Sequence, residues 1–156
     1  MKQLAVLVLL AVSGVGSLFA AHLADQKVLT LEGAKAMAAA AEAEATKNNW
    51  NVIIVILGEG GHLLYMQRMD GAQMGSIDVA MSKAKSAYLF KRPTKVFEDG
   101  VASGRNALLG LPGAIAIEGG LPIQAGGAVI GSIGVSGVTS AQDAQIATAG
   151  LAGLQQ

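Results

Sequence analysis

The chain has 156 residues, 52% of them hydrophobic and 14% charged, with 11 Lys+Arg against 11 Asp+Glu and no cysteine. Such an apolar, charge-balanced chain is globular rather than disordered, and it lacks the basic field that nucleic acid or an anionic membrane surface requires. The absence of cysteine excludes disulfides, thiolate metal sites and haem attachment through C-x-x-C-H.

Residues 1–20 have the three parts of an export signal. These are a positive start at Lys2, an apolar run Leu4–Val12, and a small-residue end at Leu18-Phe19-Ala20. Cleavage is expected after Ala20, with Ala21 as a second choice. An uncleaved anchor is the rival reading, because Gln3–Ala21 barely reaches spanning length. After cleavage no membrane span is expected, and residues 21–156 form one domain.

Thr30 is placed to cap a helix from Leu31 to about Lys47, with Glu32 in its first turn. Leu31, Ala34, Met37 or Ala38, Ala41 and Ala45 recur at helical spacing. Trp50–Leu57 reads as a strand buried on both faces. Glu59-Gly60-Gly61-His62 turns the chain into a second strand, Leu63–Met69. Ser76 is expected to cap a helix to about Lys91, with Ile77, Ala80, Met81, Ala84, Ala87 and Tyr88 on the apolar face. Asp78, Ser82, Lys83 and Lys85 fall on the polar one. Pro93 ends that helix, and Thr94 can cap a short one to about Ser103. A loop, Gly104–Gly113, leads into three short strands, Ala114–Glu118, Leu121–Ala125 and Ala128–Ser136, separated by Gly-Gly turns. Ser140-x-x-Asp143 matches a capping box for a last helix, with Ala144, Ala147, Leu151 and Leu154 facing inward. The order predicts an α/β (α+β) fold with five mostly antiparallel strands and helices packed on the sheet.

Three segments in this order, Gly60–Ala72, Ser82–Val101 and Leu111–Gly137, resemble the GlcG/HbpS family of haem-binding proteins, to which the PduO C-terminal domain also belongs. The resemblance runs from about Leu29 to Leu154. It implies a profilin-like fold with a five-stranded antiparallel sheet, haem or a related tetrapyrrole as ligand, and a homo-oligomer, octameric in several members. Together with the signal, it implies an exported, periplasmic or secreted binding protein for sequestration, transport or sensing. Two details depart from the family pattern. The E-x-x-E iron motif is missing, with Glu42-x-Glu44 and Glu98-Asp99 as the nearest spacings. The helix reads Lys83-Ala84-Lys85-Ser86-Ala87 where the family has K-A-x-T-A.

His62 is the candidate axial ligand, since neutral imidazole binds haem iron well and a turn can project it; a solvated turn histidine is the plain alternative. His22, near the new N-terminus, is a weaker candidate. Met66, Met69, Met74 and Met81 carry thioethers but read as core fillers. Ser86, Tyr88, Arg92 and Thr94 lie where the resemblance makes a tetrapyrrole border most expected. Arg92, with Lys91 and Lys95, is suited to haem propionates, or is simply part of a solvated basic helix end. No G-x-S-x-G, H-E-x-x-H or Walker pattern is present, so nothing points to an enzyme. A non-enzymatic accessory or assembly module that binds another small molecule is the second reading.

Overall fold

The computed structural model describes residues 24–154. The expected signal, its cleavage point and His22 lie outside the described residues. Helix α1 (Leu31–Lys47) is followed by strands β1 (Ile53–Leu57) and β2 (Leu63–Arg68), then helices α2 (Ser76–Phe90) and α3 (Lys95–Ala102). Strands β3 (Gly120–Ala125) and β4 (Ala128–Ser136) precede helix α4 (Ser140–Gly153). Single 3-10 turns lie at Glu59–Gly61 and Asn106–Gly110. None of the described helices is long and apolar enough to cross a membrane.

The strands form one antiparallel sheet in the order β2-β1-β4-β3. β1, a run of Ile, Val and Leu, is buried along its whole length because it is covered on both faces. Alternation sends Ile54 and Ile56 into a core with α1 and α4, while Ile53, Val55 and Leu57 meet Ala80 and Ala84 of α2. The result is three layers, with α1 and α4 on one side of the sheet and α2 on the other.

The sheet has four strands, not the five expected. Ala114–Glu118 alternates like a strand but has no strand beside it. Three of its N–H groups are engaged elsewhere: Ala114 N–H donates to Leu111 O at 3.1 Å, Ile115 N–H donates to Ser86 Oγ at 3.2 Å, and Glu118 N–H donates to the Glu98 carboxylate. The segment forms no ladder, and β3 is left as one edge of the sheet, with β2 at the other.

Several caps also differ from expectation. The capping box of α4 is Thr139 with Gln142, one residue before the expected pair. Thr30 caps α1 as expected, accepting from Gly33 N–H at 3.1 Å. Ser76 is not the cap of α2, where Gly75 stands, and Thr94 holds the N-cap position of α3 without a side-chain capping bond. Ser76 Oγ accepts from the Gln73 side chain, and Thr94 Oγ1 accepts from Gly120 N–H at 2.9 Å. Leu31, expected inward, is exposed.

Helix α2 ends on Lys91, held in the left-handed region at φ 53°. A Cβ-bearing residue is strained there, and glycine is the usual occupant. Lys91→Gly is expected to stabilise the fold by about 0.5–1 kcal/mol, raising Tm by about 2–4 °C. An unchanged or lower Tm would mean that the lysine side chain compensates the strain in the free protein.

Candidate functional site

Helix α2 delivers most of the candidate side chains, and glycines determine where it lies. Gly120 and Gly134 are directly paired across β3 and β4. A Cβ at Gly134 would stand 2.2 Å from Ala80 O, and one at Gly120 would stand 2.3 Å from Lys83 O. The helix backbone therefore rests directly on a glycine floor, too close for any side chain. Ser132 Oγ–H donates to Ala84 O at 2.7 Å and fixes the helix along its axis.

From that floor α2 runs to the β3–β4 hairpin. There Tyr88, Leu89 and Lys91 line an open cavity of about 700 Å³ together with Gln124, Gly127–Val129 and the lead-in residues 24–26. Its walls combine an aromatic ring, aliphatic groups, the amides of Gln26 and Gln124, one cation and the Asp25 carboxylate, the mixed lining of a small-molecule site. Tyr88 also reaches the turn before β2. Its hydroxyl accepts from Gly60 N–H at 3.0 Å, and its ring packs so closely that a Cβ on Gly61 would stand 2.8 Å from Cδ1. Gly60 and Gly61 both have positive φ, and a Cβ on Gly60 would stand 2.8 Å from His62 Cδ2. The Tyr88 ring thus connects the His62 turn to the cavity. His62 is exposed and does not line the cavity, and its imidazole makes no hydrogen bond among the described residues.

The other residues singled out from the sequence do not join this cluster. The Ser86 hydroxyl is buried and accepts from Ile115 N–H. Thr94 is buried, and its N–H and hydroxyl both engage Gly120, pinning the start of β3. Arg92 is exposed, and its Nε–H donates to Phe90 O at 3.0 Å. Met66 is exposed on β2, while Met69 packs against the core.

Lys83 overturns its assignment to the polar face of α2. It is 1% exposed and meets Asp143 of α4, 2% exposed, at 2.6 Å, while a second N–H donates to Val135 O at 3.0 Å. Asp143 also accepts from Val138 N–H at 3.2 Å. Burial pushes the Asp143 carboxyl up, against the lowering pull of Lys83 and the backbone N–H groups of Val138 and Gly137. Because α2 and α4 lie on opposite faces of the sheet, the pair ties the outer layers together beside Gly119. A Cβ on Gly119 would stand 2.9 Å from both Lys83 Nζ and Asp143 Cβ.

The family model described as "Haem degrading protein HbpS-like" matches residues 29–152. The chain belongs to the HbpS-like family. Protein GlcG of Escherichia coli K12 is 43% identical to this HbpS-like chain over 109 residues, which is 70% of the chain and 81% of GlcG. The crystal structure of Klebsiella pneumoniae protein ORFY superposes with a TM-score of 0.79 at 35% identity, covering 86% of this chain and 95% of that one. A crystal structure of PduOC in complex with haem superposes with a TM-score of 0.72 at 26% identity, covering 80% of this chain and 94% of that one. In this HbpS-like chain the glycine floor, the buried pair and the cavity all lie within the matched span, apart from the lead-in wall at residues 24–26.

Proposed function

We propose that this chain is an exported, homo-oligomeric protein that binds haem or a related tetrapyrrole for sequestration, transport or sensing. The tetrapyrrole occupies the cavity between the end of α2 and the β3–β4 hairpin. The carrying observation is that cavity: about 700 Å³, within the range of roughly 300–1,000 Å³ usual for cofactor sites. The family membership and the haem-bound PduOC relative support the choice of ligand. When bound, the group would supply an iron centre able to take a nitrogen ligand. The Tyr88 ring would form a wall, and the His62 imidazole, outside the cavity lining but on the turn that Tyr88 holds, would be the group to coordinate the iron.

Titration of the purified apo-protein with hemin is expected to give a saturable Soret shift. His62→Ala is expected to move the Soret maximum of the complex without unfolding the protein, since His62 is exposed. A spectrum equal to that of free hemin at every ratio would overturn the proposal.

A further inference from the structure

We infer that Lys91 is the residue that holds a ligand carboxylate in this cavity, an inference that rests on the tetrapyrrole reading above. Lys91 is the single cation among the residues that line it. The other charged lining group, Asp25 on the lead-in, has the same sign as a propionate and would repel one. Among the described residues Lys91 makes no ion pair, a state it shares with Lys27, Lys35 and Lys85, none of which lines the cavity. Its ammonium is therefore available.

The backbone adds an independent argument. A helix C-terminus favours any cation in its last turn through the macrodipole, which accounts for a basic residue near this point. It does not account for lysine at the left-handed cap, where glycine sits without strain. Strained non-glycine residues gather at ligand clamps, where the side chain's task outweighs the backbone cost. Arg92, its neighbour, does not line the cavity, and its Nε–H is directed to Phe90 O. A haem-like ligand would thus lie with its apolar body against Leu89, Val129 and the Tyr88 ring and one carboxylate on Lys91 Nζ.

The test is hemin titration of the wild type beside Lys91→Gly, Lys91→Asn and Lys91→Arg, repeated with hemin dimethyl ester, in which both carboxylates are neutral. Gly and Asn both tolerate the left-handed backbone, so neither variant strains the cap. The expected result is a loss of about tenfold in hemin affinity for the Gly and Asn variants, the scale of one charge-assisted hydrogen bond. Lys91→Arg is expected to keep the affinity. The dimethyl ester is expected to bind all four proteins alike, at the weakened level. Equal hemin affinity in wild type and Lys91→Gly would overturn the role of Lys91 and leave haem binding standing. A preference for hemin over its ester that survives in Lys91→Gly would also overturn it. A wild type that binds neither compound would overturn the haem reading itself and this inference with it.

Discussion

Asp143→Ala is expected to lower the unfolding free energy by about 3–5 kcal/mol, the cost of leaving one partner of a buried pair without the other. The alanine variant keeps the Lys83 ammonium at 1% exposure with Val135 O as its one remaining acceptor. Lys83→Met should cost less. The orphaned Asp143 carboxyl keeps the Val138 N–H, and because burial already pushes it up it takes a proton more readily than an ordinary aspartate. The double variant Lys83→Met/Asp143→Ala removes both charges, and an apolar replacement for a buried pair is often near neutral. Urea unfolding of all four proteins gives the coupling directly. A double variant at least about 2 kcal/mol more stable than the sum of the single losses predicts is the expected result. Single losses that simply add would show that the two charges do not interact across the sheet. Either single loss is large enough to matter to function, because the pair holds the α2 layer on which Tyr88 and Lys91 are carried.

The same pair shows what a single sequence conveys and what it hides. Lys83 lies three residues after Ala80 and four before Ala87, within the buried stripe of α2. Helical spacing alone points it inward, but its charge led to its assignment to the polar face. Its partner lies 60 residues away in another layer, and no local pattern reports a pairing over that distance. Asp143 instead matched a capping box, one residue out of step with the real one at Thr139 and Gln142.

The strands were legible wherever apolar alternation met a glycine turn, which gave β1, β2, β3 and β4 to within three residues. Ala114–Glu118 carries the same alternation, but alternation reports only which residues face inward. It does not reveal that Ser86 and Glu98 take two of the segment's N–H groups. At the site, Tyr88 was legible as part of the helix end. The opposite wall, Gln124 and Gly127–Val129, was not, because a hairpin turn has no chemistry to mark it. Lys91 stood in the sequence only as a companion of Arg92; its left-handed cap goes unsignalled where the usual glycine is absent.

Gly134→Ala is expected to destabilise the fold by about 3 kcal/mol or more, at or above the upper end of ordinary overpacking. The added methyl would stand 2.2 Å from Ala80 O and 2.5 Å from Ala84 N, and both are helix backbone that cannot rotate away. Relief requires α2 to rise from the sheet, which lengthens the Ser132–Ala84 hydrogen bond and opens the buried contacts of Ala80 and Ala84 with β1. Gly75→Ala is the control. Gly75 lies just before the same helix at φ −61°, with no atom within 4 Å of an added Cβ, so a change within about 0.5 kcal/mol is expected. Urea unfolding separates the two, and equal stability of the two variants would refute the glycine floor. The displacement also has a functional consequence. Tyr88, Leu89 and Lys91 travel with α2, while Gln124 and Gly127–Val129 stay with the hairpin, so lifting the helix alters the cavity's width. A folded fraction of Gly134→Ala is therefore expected to bind hemin more weakly than Gly75→Ala, although Gly134 itself does not line the cavity. Two Gly→Ala substitutions next to the same helix would then differ in both stability and binding, because only one of them meets backbone.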